Sequence, residues 1–209
     1  MTDASRFWDR TAARYARSPI ADEAAYQKKL AVTRGYLRPD MDVLEFGCGT
    51  GSTALLHAPY VKHIRAIDFS AAMIAIARDR AAAQGVTNVS FAQASIDDLD
   101  AAAAGFDAVL GLNILHLVAD RDAVIAKVSR LLKPGGIFVS STACLGDMGL
   151  LKLIGYVAPL GRRFGLLPLV RVFTAQALED SLTAAGFAID HRWQPGPKAA
   201  LFIVAKKAA

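Results

Sequence analysis

The stretch Val43-Leu44-Glu45-Phe46-Gly47-Cys48-Gly49-Thr50-Gly51 carries an apolar strand directly into alternating glycines. A loop free of side chains lets the backbone approach a ligand closely, and its N–H groups, with the start of the following helix, can hold an anion. Asp68 stands 17 residues beyond Gly51, at the end of the next strand-like run. A carboxylate there can accept hydrogen bonds from both hydroxyls of an adenosine ribose. Glycines also serve plain tight turns, so the loop alone says little. Strand, glycine loop, helix and an acid at the next strand end form a far more specific combination, one that points to a nucleoside-binding crevice. The glycines fall as Gly47-x-Gly49-x-Gly51, not Gly-x-Gly-x-x-Gly, which disfavours a dinucleotide.

Regular elements must position these residues. Short apolar runs at Val43–Phe46, Ile64–Ile67, Val89–Ala92, Ala108–Leu112 and Ile137–Ser141 alternate with helical patterns, which implies a mostly parallel sheet with helices on both faces. Ser70 is placed to cap a helix through Ala83, with Gly85 beyond its end. A second helix is expected over Arg121–Leu132, stopped by Pro134-Gly135-Gly136, and a third from a Thr174 cap to Ala185. Phe187–Trp193 and Leu201–Lys206, joined across Gln194-Pro195-Gly196-Pro197, read as an antiparallel pair at the sheet edge. Ahead of the first strand, residues 1–38 read as a cap of two helices broken at Ser18-Pro19, with Trp8, Ala12 and Tyr15 sharing one face. The segment 145–173 interrupts the rhythm and reads as an inserted apolar lid or a dimer surface within a single domain spanning 1–209.

A chain of 209 residues can bury a sizeable core without disulfides or metals. Cys48 and Cys144 lie far apart and no basic, hydrophobic leader opens the chain, so two free thiols in a reducing cytoplasm are expected. The greasiest stretch, 145–173, is cut by Asp147, Lys152, Arg162, Arg163 and Arg171, which argues against a membrane span. The net charge of +5 is dispersed, as on an ordinary solvated surface, and does not call for nucleic acid.

Glu45-Phe46-Gly47-Cys48-Gly49-Thr50-Gly51 resembles the first motif of class I S-adenosylmethionine-dependent methyltransferases, of the small-molecule type. The resemblance extends through Asp68-Phe69-Ser70-Ala71-Ala72-Met73, Asn113-Ile114-Leu115-His116 and Leu132-Lys133-Pro134-Gly135-Gly136, covering roughly Tyr36 to Ala143. It implies the family's Rossmann-like fold, S-adenosylmethionine as methyl donor and S-adenosylhomocysteine as product. It also implies that Glu45 orients the loop and reaches the donor's ammonium through water, that Gly47, Cys48 and Gly49 meet its methionine part, and that Asp68 takes the ribose. Phe69 and Met73 would pack on adenine, and Asn113 would lie near the ammonium or the acceptor. The family's usual adenine-binding acid after the third strand has no clear counterpart in Gln93-Ala94-Ser95-Ile96-Asp97-Asp98, where Ser95 or Asp97 would substitute beside Ile96. Tyr15 and Tyr26, on helices that in this family close over the cofactor, are candidate lid contacts or plain packing.

Methyl transfer from a sulfonium needs an in-line nucleophile, and a base only where the acceptor must lose a proton. His116 is the candidate base, the alternative being a structural histidine. Cys144 invites comparison with enzymes that methylate a cytosine ring through a cysteine nucleophile, but their companion motifs are missing; nor does an Asn-Pro-Pro-Tyr loop follow the fourth strand. The expected acceptor is therefore a small, largely apolar molecule, with no nucleic acid, no metal site and a homodimer as an option. A noncatalytic binder of the same cofactor is the main alternative. A nicotinamide-dependent reductase is a weaker one, because Tyr156 lacks a lysine at position 160.

Overall fold

The computed structural model describes residues 3–99, 102–149, 158 and 167–208. Helices α1 (Asp3–Arg17) and α2 (Glu23–Arg34) precede β1 (Asp42–Phe46), α3 (Ser52–His57), β2 (His63–Asp68), α4 (Ala71–Ala83), β3 (Val89–Gln93) and β4 (Phe106–Leu112). There follow α5 (Arg121–Leu131), β5 (Leu132–Thr142), α6 (Ala175–Ala184), β6 (Phe187–Trp193) and β7 (Leu201–Lys207). The seven strands make one sheet in the order β3-β2-β1-β4-β5-β7-β6. The first five are parallel, and β7 runs antiparallel to both its neighbours, β5 and β6. The anticipated C-terminal pair is thus present, with β7 inserted between β5 and β6.

The central strands β1, β4, β5 and β7 are apolar on both faces because both faces are covered, as in parallel sheets. Leu44, Phe46, Val109, Phe138 and Ile203 point to the side of α5 and α6, where they meet Val124, Ile125, Val128, Leu178 and Leu182. Val43, Ala108, Leu110, Val139 and Phe202 point the other way, toward Leu55 of α3 and Ile74 and Ala77 of α4. Side-chain caps start most of these helices: Asp22 accepts from the Ala25 N–H, Ser70 from Met73, Asp120 from Ala123 and Thr174 from Ala177. Far from the glycine loop, Asp107 accepts both the Lys133 ammonium at 2.8 Å and the Asp42 N–H at 2.9 Å, tying together the entry ends of β1, β4 and β5.

The largest departure from the sequence expectation lies between α5 and β5. α5 ends at Leu131, and Lys133-Pro134-Gly135-Gly136 lies within β5, not before it. Leu132 already pairs with Phe106, and a register irregularity between Phe106 and Ala108 together with Gly135 at φ +72° absorbs the bend. Of the anticipated lid over 145–173, residues 145–149, 158 and 167–173 are described, with a single helical turn at Leu145–Asp147; the rest of that segment lies outside the described residues.

Candidate active site

The sheet order reverses between β1 and β4, so a crevice opens beyond their carboxyl ends, where open α/β sheets bind ligands. The glycine loop sits there. Gly47, Gly49 and Gly51 all have positive φ. A side chain at Gly47 would come within 2.7 Å of Ile114, and one at Gly51 within 2.9 Å of both Ala77 and the Phe91 ring. Two of the three glycines are therefore demanded by close approach as well as by conformation. A Cβ at Gly49 would meet only the Tyr15 ring, at 3.7 Å, so this position faces the crevice.

Asp68 ends β2 and is almost fully buried. Its Oδ2 accepts from the Gly49 N–H and its Oδ1 from the Ser70 N–H, each at 2.9 Å. The acid thus locks the glycine loop to the start of α4 and keeps one lone pair on each oxygen for a ligand. Burial pushes its pKa up, against the two backbone bonds that favour the charge. Phe69 and Met73 stand beside it in a narrow cleft of about 60 Å³, which Trp8 and Tyr15 of α1 cover from above and Asn113, Ile114 and Leu117 close from the side.

Across Tyr15, Gly47, Gly49 and Asn113 the cleft adjoins a larger cavity of about 620 Å³. Glu45, Cys48, Tyr26, Lys29, Ser141 and Phe202 contribute to its wall, as do Pro195 and Ala199 of the β6–β7 turn. Glu45 is 3% exposed, and its Oε2 has no hydrogen-bond partner. Burial, helped by the negative charge of Asp68, raises its pKa to about 8. Burial likewise pushes the Cys48 thiol up, so that sulfur is an inert filler, not a nucleophile. Asn113 adopts a left-handed conformation at φ +56°, and its N–H donates to the Ser141 carbonyl at 2.6 Å. Strained polar residues at a strand end are often functional.

α1 is fastened over this crevice at two points. Asp9 accepts from the Ser70 hydroxyl at 2.6 Å and from the Ala72 N–H at 3.2 Å, near the start of α4. Arg80 donates to the Ala16 carbonyl, the Thr50 hydroxyl and the Ser52 hydroxyl, each at 2.8 Å, tying the end of α1 to the glycine loop.

Of the residues singled out from sequence, Tyr15, Glu45, Gly47, Cys48, Gly49, Asp68, Phe69, Met73 and Asn113 converge on these two connected cavities. Ser95, Ile96 and His116 line neither. Ser95 is turned onto its own loop, its hydroxyl accepting from the Asp97 N–H at 3.2 Å, and Ile96 packs in the core on the α5 side. His116 follows the buried Leu115; its Nδ1 is buried without a partner and burial lowers its pKa. The base expected there is not on the cavity wall. Sequence reasoning missed Trp8, Lys29, Ser141 and the β6–β7 turn as lining residues. Only Trp8 carried a signal, its helical spacing with Tyr15.

A methyltransferase domain family matches residues 37–160, well over half of the chain. The chain belongs to the class I methyltransferases. The methyltransferase YcgJ of Bacillus subtilis, itself uncharacterized, is 31% identical over 110 residues, 53% of this chain and 44% of that protein. Its crystal structure superimposes with a TM-score of 0.72 over 88% of this chain and 99% of that one, at 19% identity. A ubiquinone biosynthesis O-methyltransferase of Xanthomonas oryzae pv. oryzae is 33% identical over 144 residues, 66% of this chain and 56% of that enzyme. These matches span about half the length of the curated relatives. Geranyl diphosphate C-methyltransferase from Streptomyces coelicolor, solved with S-adenosyl-L-homocysteine, shares the fold at a TM-score of 0.72 and 16% identity, over 89% of this chain and 79% of that one.

Proposed function

We propose that this class I methyltransferase transfers a methyl group from S-adenosylmethionine to a small, largely apolar molecule in the 620 Å³ cavity. The observation that carries the reading is the buried Glu45 with its unpartnered Oε2, on a wall shared with Gly47 and Gly49. A buried acid without a partner is costly, and the donor's ammonium is the group that would satisfy it. Asp68 has lone pairs left for two ribose hydroxyls, and Phe69 and Met73 supply an apolar seat for adenine beside it. The bound donor supplies a methyl group already activated by its sulfonium charge.

What the chain contributes is position. Glu45, the glycine loop and Asp68 fix one reactant, while α2, Asn113 and the β6–β7 turn shape the space for the other. Holding two reactants in line is worth up to about 7–11 kcal/mol, and the reading asks little more of the protein. It gives His116 no part as a base. The narrow cleft holding Asp68, Phe69 and Met73 runs under Trp8 and Tyr15, so α1 covers the nucleoside end of the bound donor. The whole of 1–209 would act as one unit, residues 1–38 forming the cap, in the cytoplasm.

The test is incubation with donor carrying a labelled methyl group and a broad panel of small apolar alcohols, phenols, amines, thiols and acids. Label recovered in an acceptor supports the reading. Donor binding without transfer to any of them would favour a noncatalytic binder.

A further inference from the structure

α1 spends one side on the crevice: Ala12 is buried, Trp8 and Tyr15 cover the cleft, and Asp9 holds Ser70 and the Ala72 N–H. Its outward side differs. Arg6, Arg10, Arg14 and Arg17 follow one another at steps of four, four and three residues, which puts them on one stripe of a helix, and all four are exposed. At 1.5 Å of rise per residue the stripe is about 16 Å long. Basic residues are dispersed along the chain as a whole, but here the helix period gathers them. Among the described residues Arg14 and Arg17 form no ion pair.

The stripe ends at the rim of the 620 Å³ cavity. Arg14 and Arg17 belong to the last turn of α1, and the exposed chain that continues from them, 18–22, contributes to the cavity wall. Two large hydrophobic side chains on this rim face solvent, Tyr15 at 51% exposure and Ile20 at 48%, and Pro19 is exposed beside them. The acids that follow are engaged: Asp22 caps α2 through the Ala25 N–H, and Glu23 accepts from the Gln27 amide at 2.7 Å. A nucleic-acid backbone would use the arginines alone. A bilayer of anionic phospholipid uses the whole surface, with the cations against headgroup phosphates and the tyrosine and isoleucine in the interfacial layer. No helix among the described residues is long and apolar enough to cross a membrane, so such a contact is peripheral.

We propose that the arginine stripe of α1 docks the protein on a bilayer surface rich in anionic phospholipid, with Pro19 and Ile20 set into the headgroup layer. An apolar acceptor dissolved in the lipid then enters the large cavity at its rim without crossing water. The route of the acceptor rests on the proposed methyl transfer, whereas the docking does not. In the test, the protein is sedimented with vesicles of phosphatidylcholine alone and with vesicles carrying about one-third phosphatidylglycerol. It should go down with the second kind only, and be released in about 1 M salt, where charges are screened beyond about 3 Å. Each arginine near an anionic surface is worth about fivefold in affinity, so the double variant Arg14→Gln, Arg17→Gln should bind about twentyfold more weakly, with S-adenosylhomocysteine affinity unchanged. Ile20→Ser should weaken binding less and leave its salt dependence in place. Failure to bind phosphatidylglycerol vesicles, equal binding of both kinds, or binding that the arginine variant does not weaken overturns the proposal. So does tighter binding of duplex DNA than of the vesicles, which would make the stripe a nucleic-acid surface. The wild-type comparison of the two vesicles decides the matter even if a variant fails to fold. Failure of the wild-type protein to bind S-adenosylhomocysteine would instead strike the methyltransferase reading and leave the docking standing.

Discussion

On the β1–β2 side of the crevice the groups that face a ligand come from two short runs of chain, Glu45–Gly51 and Asp68–Met73, and much of the surface is backbone held by glycines and by Asp68. On the β4–β5–β7 side they come from α2, the end of β4, the end of β5 and a turn near residue 197, and the surface is side chains. Backbone geometry of the first kind tolerates little substitution where a side chain would collide, as at Gly47 and Gly51. An assembly of the second kind can be changed one side chain at a time without disturbing the sheet. On the proposed reading, donor and acceptor recognition fall on parts of the molecule with different freedom to vary.

That contrast is broken most directly at Gly51. An alanine there would carry the left-handed penalty of about 1–2 kcal/mol and press on Ala77 and Phe91, for which overpacking costs about 1–3 kcal/mol. Gly51→Ala should therefore be clearly destabilised in urea unfolding, and Gly49→Ala, which meets only Tyr15, much less so. Equal stability of the two variants would mean that the loop is not held as described. Asp68→Ala comes next: losing charge-assisted bonds worth about 1.5–3 kcal/mol should weaken S-adenosylmethionine binding by about ten- to a hundredfold, read by calorimetry. An unchanged affinity would remove Asp68 from the site.

Glu45 sharpens the comparison through pH. Its raised pKa, about 8, means that the free folded protein holds a proton here which the unfolded chain gives up near pH 4.5. This group's contribution to stability accordingly falls as pH rises from about 4.5 to about 8. A bound ammonium favours the carboxylate, so donor binding should release a proton and tighten from pH 6 to pH 7.5. Calorimetry in buffers of different ionisation enthalpy reads that proton, and Glu45→Gln should abolish it. The smallest effect is expected at the α1 fastenings: Asp9→Ala or Arg80→Ala should speed donor release a fewfold in stopped-flow displacement while leaving the sheet intact.

The glycine-loop side of the crevice was legible in the sequence because it is local. Strand, glycines and acid follow one another within Val43–Asp68, and their spacing carries the geometry. The sheet was legible because its central strands β1, β4, β5 and β7 carry apolar runs buried on both faces. Lys29 and Ser141 meet across 112 residues, and the β6–β7 turn reaches the cavity only because β7 inserts beside β5; neither fact has a local signature. His116, Ser95 and Ile96 line neither cavity, and a loop's sequence does not say which way its side chains turn. Leu115, not His116, is the buried anchor of its loop, and Ser95 is spent on its own turn.

The most direct test of the central claim is calorimetric titration of the protein with S-adenosylmethionine and S-adenosylhomocysteine, with NADH as the control. Saturable one-to-one binding of the first two is expected, weakened together by about ten- to a hundredfold in Asp68→Ala, with none of NADH. Binding of NADH with no response to either sulfur compound would contradict it and turn the crevice into a dinucleotide site.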